Sequence, residues 1–62
     1  MPLVQIDMLE GRDAERIASL MRDVTDAVAS SLDISADRVR VIVRDVPRTH
    51  WGVAGTSVAE RG

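Results

Sequence analysis

Three kinds of residue in this chain can do chemistry on a small molecule: a proline in second place, a group of arginines and one tryptophan. Pro2 is the candidate base. Inside a chain its ring nitrogen is an amide with no basic lone pair, but removal of Met1 makes it a free secondary amine on a preformed ring. Enzymes that trim an initiator Met accept a compact second residue such as proline. Proline is about 5% of all residues, so Met-Pro alone is equally an ordinary start. Arg12 ends the stretch Leu9-Glu10-Gly11-Arg12, and Arg38 and Arg40 alternate with Val39 and Val41. Arg12 read alone is as well a solvated loop side chain, and Arg40 part of a solvated arginine ladder. Trp51 sits in a glycine-rich tail with little local core to enter, so it packs on another subunit or lines a pocket. His50 reads as an exposed loop residue with no role, and Asp7 and Glu10 as charge partners.

The elements that must hold these residues follow from periodicity. From Leu3 to Leu9 the apolar residues Val4, Ile6 and Met8 alternate with Gln5 and Asp7, the period of a half-buried strand. Glu10-Gly11-Arg12 breaks the pattern. Asp13 stands where a helix cap belongs, with Glu15 in the first turn to complement the helix dipole. Ile17, Leu20, Met21, Val24, Ala27, Val28 and Leu32 then recur at three- and four-residue steps, opposite Arg16, Arg22, Asp23 and Asp26. The spacing predicts a one-faced helix ending near Leu32.

The segment 33–37 supplies turn formers, and a second strand is expected from Arg38 to Asp45. Val39, Val41 and Val43 form one face of it, and Arg38, Arg40, Ile42 and Arg44 the other. Two strands joined by a long helix make a β-α-β unit with parallel strands and a right-handed crossover. Pro47 ends the second strand, since it has no N–H for a ladder. The tail from Thr49 to Gly62 fits a short hairpin, with Gly52 and Gly55 as turn points.

Size and composition limit what such a unit can be. Sixty-two residues make one domain, near the lower bound for folding alone. With no cysteine and one histidine, neither a disulfide nor a zinc site staples it. Self-association is the remaining staple, because a two-stranded sheet with an open face and two free edges is marginal. The net charge of −2 and the single aromatic residue argue against a nucleic-acid surface. No stretch reads as a signal peptide or a membrane span, so a cytoplasmic protein is expected. The arginines on the open strand face cannot all be buried unpaired. They need carboxylates such as Asp7, water or an anionic ligand.

Taken together, Met1-Pro2, Leu9-Glu10-Gly11-Arg12, the long helix, Val39-Arg40-Val41-Ile42 and His50-Trp51-Gly52 resemble the 4-oxalocrotonate tautomerase family over essentially the whole chain. The fold class this implies is α+β: a β-α-β subunit with a short C-terminal hairpin, completed by oligomerisation. Members usually form hexamers, as trimers of dimers, with active sites shared between subunits. Carried over to this sequence, the resemblance makes Pro2 the proton shuttle, Arg12 and Arg40 the guanidiniums that bind a dicarboxylate, and Trp51 an apolar wall. Leu9 and Arg38 join the substrate-binding set. The best-known member has phenylalanine at the Trp51 position and a small polar residue at the Arg38 position, so pocket volume and charge differ here. The family implies no metal or organic cofactor and a place in aromatic hydrocarbon degradation.

The implied reaction is a keto–enol isomerisation of a dienol such as 2-hydroxymuconate. A free α-amino group titrates at about 7.7–8.0. Desolvation and nearby guanidiniums lower that towards neutrality, where a base is most useful. Two other functions compete. A hydratase or 3-haloacrylate dehalogenase of the same superfamily needs a carboxylate to activate water, and Val53 stands at the position where such members carry it. A non-catalytic assembly partner would keep the fold without a working amine.

Overall fold

A computed structural model describes residues 1–61; Gly62, the last residue of the expected tail, lies outside the described residues. The first strand, β1, spans Leu3–Leu9 as its alternation requires. The helix α1 follows at Ala14–Leu32. Asp13 caps it in an extended conformation, its side chain accepting from the Arg16 N–H at 2.8 Å. The helix stops at Asp33, which takes a left-handed conformation (φ 54°), while the Ile34 N–H reaches back to the Ala29 carbonyl at 3.0 Å. Glycine usually fills such a position; aspartate is one of the few other residues that visit it.

The second strand, β2, is Arg40–Val46 and does not begin at Arg38. Arg38 instead ends a 3-10 turn, Ala36–Arg38, capped by the Ser35 hydroxyl, which accepts from the Asp37 N–H at 3.3 Å. A three-residue turn carries no periodicity, so Arg38 looks like a strand residue when only its alternation with Val39 is counted. The two strands pair in parallel, from Leu3 opposite Arg40 to Leu9 opposite Val46. The expected far end, Asp45, is one residue short.

Strand alternation assigns the two sheet faces. Val4, Ile6, Met8, Val41 and Val43 are half-buried on the α1 side, and Val39 is the one buried residue among those described, at 7% exposure. The stripe on α1 is half-covered too, with Ala27 and Leu32 exposed. On the opposite face Leu3 is 54% and Ile42 40% exposed, beside Gln5, Asp7, Arg40 and Arg44. The Cα radius of gyration is 14.7 Å, against about 11 Å for a compact domain of this length. This protomer covers one face of its sheet and leaves the other to something else. No helix among the described residues is long and apolar enough to cross a membrane.

Beyond Pro47 the chain forms a 3-10 turn, Arg48–His50, and then the expected hairpin, β3 (Gly52–Val53) against β4 (Thr56–Ser57). Ala54 (φ 53°) and Gly55 (φ 85°) both adopt positive φ at its tip, as the tight turns that match strand twist require. A single helical turn, α2 (Val58–Arg61), closes the tail. The Val58 N–H bonds the Trp51 carbonyl at 2.9 Å, which folds the tail back on itself.

Candidate active site

Because the strands run parallel, the sheet has one amino end and one carboxyl end, and the candidate residues divide between them. At the amino end the Pro2 carbonyl accepts from the Arg40 N–H at 3.0 Å, extending the ladder by one step. This puts the second residue beside Arg40, two residues along the chain from Arg38. Met1 is 83% exposed and precedes β1, so its loss would leave the strand intact. The Arg40 guanidinium is oriented by backbone oxygens: Nη1 donates to the Asp37 carbonyl at 2.6 Å and to the Val39 carbonyl at 3.3 Å. Its Nε and Nη2 donate to nothing among the described residues. Arg38 is exposed, and its N–H closes the 3-10 turn on the Ser35 carbonyl.

Arg12 stands at the carboxyl end. Gly11 (φ 132°) turns the chain after Glu10, a conformation that suits glycine. The Arg12 Nη1 then donates to the Leu9 carbonyl at 3.2 Å. Arg12 and Arg40 thus share one arrangement: a terminal nitrogen tethered to a carbonyl three residues upstream, with the rest of the fork free for a carboxylate. Arg12 also borders an open groove against α1 that is lined by Met8, Asp13, Arg16 and Leu20. The tail that carries half-buried Trp51 leaves β2 at this same end.

The structure therefore places Pro2 and Arg40 side by side in the ladder, with Arg38 in the turn just before β2, and groups Leu9, Arg12 and the root of the Trp51 tail at the other end. It keeps the two groups apart. Seven strand residues at about 3.3 Å each separate them by roughly 23 Å, far beyond the length of a six-carbon diacid. No single protomer can present Pro2 and Arg12 to one such molecule.

Of the two expected charge partners, Asp7 pairs with Arg44 at 3.7 Å across the strands, both side chains more than half exposed. Such a pair adds little stability, but it neutralises Arg44 and leaves Arg38 and Arg40 unmatched. Glu10 does not pair with a charge; it accepts the Arg48 backbone N–H at 3.0 Å. The role of Ser35, as cap of the turn that orients Arg40, escaped the sequence reading, although a serine two residues before an aspartate in a turn is a capping signal. Among the described residues no three His, Cys, Asp or Glu side chains converge as metal ligands.

A parallel β-α-β unit with a tail hairpin and proline in second place defines a class, the small tautomerase-like subunits, and comparison with known proteins agrees. The family model for tautomerase enzymes matches residues 2–61. A 2-hydroxymuconate tautomerase of Stutzerimonas stutzeri is 42% identical over 62 residues, covering 100% of this chain and 98% of that one. A heterohexamer 4-oxalocrotonate tautomerase from Chloroflexus aurantiacus J-10-fl superposes with a TM-score of 0.89 at 47% identity, over 97% of each chain. A 4-oxalocrotonate tautomerase homologue of tomaymycin biosynthesis gives 0.91 at 42% identity, over 97% of this chain and 92% of that one. The chain belongs to the tautomerase family and is an isomerase of the 4-oxalocrotonate tautomerase type.

Proposed function

We propose that this protein, once Met1 is removed, converts a dienol dicarboxylate such as 2-hydroxymuconate into its conjugated 2-keto acid, with the Pro2 amine as general base. The similarity to 2-hydroxymuconate tautomerase over the full chain supports the substrate class. The observation that supports the mechanism is the bond from the Arg40 N–H to the Pro2 carbonyl, which makes the two residues backbone neighbours at the amino end of the sheet. There the Arg40 guanidinium keeps Nε and Nη2 without partners among the described residues.

The amine takes the enol proton, and the oxygen's electrons form the new carbonyl. The two double bonds shift by one place, and the proton returns to the far end of the former diene. Atoms and charge balance with no other reactant. Arg40 holds the hydroxyl and its neighbouring carboxylate and stabilises charge on that oxygen as it shifts. Arg12 grips the distal carboxylate and draws electron density along the diene. Trp51 and Leu9 supply the apolar wall, and Arg38 adds positive charge at the amino end. Guanidiniums near the amine disfavour a second positive charge there, so its titration falls below the ordinary range of about 7.7–8.0. The rate then rises with pH through that lowered value, as the amine loses its proton.

The site is assembled between subunits. A two-fold axis normal to the sheet pairs equivalent edges antiparallel, and so lays the amino end of one sheet beside the carboxyl end of the next. That operation joins the two groups of residues that one protomer keeps apart, and further packing covers the open face. A homo-oligomer, as a hexamer built from three dimers, meets both needs. Val53, apolar and 43% exposed in β3, offers no carboxylate for the water activation that a hydratase or dehalogenase needs.

Intact-mass spectrometry coupled to an ultraviolet assay of 2-hydroxymuconate ketonisation tests the base. The species lacking Met1 is expected to carry the activity. Equal turnover by the Met-bearing species would remove Pro2 from the mechanism.

A further inference from the structure

We infer that Glu10 is a positioning residue whose one carboxylate fixes Arg12 and Trp51 relative to each other. The ladder between the strands ends with the Glu10 N–H bonded to the Val46 carbonyl at 3.0 Å. Pro47 has no N–H, so pairing cannot continue. The next donor is the Arg48 N–H, the first of the 3-10 turn Arg48–His50, and the cap residue Pro47 makes no side-chain hydrogen bond to that turn. The Glu10 side chain supplies the missing cap from 38 positions away, Oε2 accepting at 3.0 Å. A bond to an ionised acceptor is about twice as strong as a neutral one. Gly11 and Arg12 follow directly on one side of this contact, and Trp51 follows the capped turn on the other. The loop that presents the guanidinium and the turn that presents the indole are thereby held in one register. Among the described residues no second hydrogen bond ties this turn to β1 or α1.

This deepens the proposed site, since its catalytic consequence rests on Arg12 and Trp51 serving one dicarboxylate. Trp51 is the sole tryptophan, so its emission and its quenching by acrylamide report its placement independently of any activity. The experiment uses the assembled full chain with Met1 removed, four single variants and the double variant Glu10→Ala with Arg48→Pro. Glu10→Ala deletes the acceptor and Glu10→Gln keeps one. Arg48→Pro deletes the donor alone in backbone terms: Pro47 has ψ 145°, which suits a following proline, and the first position of a helical turn tolerates proline. Arg48→Ala removes the same side chain but keeps the N–H.

Glu10→Ala and Arg48→Pro are expected to red-shift and expose Trp51, and to raise KM for 2-hydroxymuconate by about tenfold with a smaller change in kcat. Arg48→Ala should stay near the parent on both measures, and Glu10→Gln, which keeps a neutral acceptor, should fall between the parent and Glu10→Ala. The double variant should be no worse than either single, as for two halves of one bond. If Arg48→Pro leaves Trp51 emission and KM where Arg48→Ala leaves them, the inference is overturned, and this holds even if Glu10→Ala fails to assemble. A shift in Trp51 without a change in KM upholds the clamp and counts against the dicarboxylate site instead.

Discussion

The two ends of the sheet are built differently. At the amino end Pro2 and Arg40 are joined by a ladder hydrogen bond, and Val39, the most buried side chain, sits between Arg38 and Arg40. At the carboxyl end Arg12 rides on a glycine turn, and Trp51 on a 3-10 turn held by one distant carboxylate. Ladder pairing fixes the backbones of Pro2 and Arg40, with the Ser35-capped turn orienting the Arg40 side chain, whereas the second group is carried by turns and a cap alone. On the proposed mechanism the proton-transfer step, which tolerates little misplacement, falls to the end held by strand pairing, and recognition of the distal carboxylate to the end held by turns. Substrate range is therefore expected to vary through the turns, while the chemistry stays with the strands.

Substitutions at each end should separate these roles. Pro2→Ala strikes the amino end and is expected to lower kcat by about 10²–10⁴-fold while the oligomer mass is unchanged. A near-normal kcat would move the base elsewhere. Arg12→Ala strikes the carboxyl end and should raise KM for dicarboxylates by about 10- to 100-fold, with monocarboxylate substrates hardly affected. Equal losses for both substrate classes would contradict the division of labour. Arg38→Ala removes an exposed charge from the amino end and should change kcat/KM by no more than about fivefold, with the difference shrinking as salt is added.

Outside both ends, Asp33→Gly relieves the left-handed α1 terminus and removes a negative charge from the negative pole of the helix. It should stabilise the protein by about 1 kcal/mol in urea denaturation, without touching either group of site residues.

Most of the architecture was legible in the sequence because long elements repeat their signal. Seven alternating residues fixed β1, and nineteen residues with a capping aspartate fixed α1. The short turns were not legible. Arg38 alternates with Val39 as a strand residue would, yet the Ser35 cap winds it into a 3-10 turn. Likewise the turn Arg48–His50 and the single turn α2 are too brief for any period to show. The candidate site residues were readable as types, but their division between two ends emerges only from the parallel register. Glu10 looked like a charge partner because its bond to the Arg48 N–H depends on a backbone position that no side-chain pattern encodes.

The central claim is that Pro2 of one subunit works with Arg12 of another. Co-refolding equal amounts of the Pro2→Ala and Arg12→Ala proteins, each nearly inactive on a dicarboxylate at low concentration, tests it most directly. Random assembly of shared sites restores about a quarter of the parent activity, since half of the sites keep the proline and half of those keep the arginine. Activity no higher than the mean of the two variants would show that each subunit works alone, and would contradict the account.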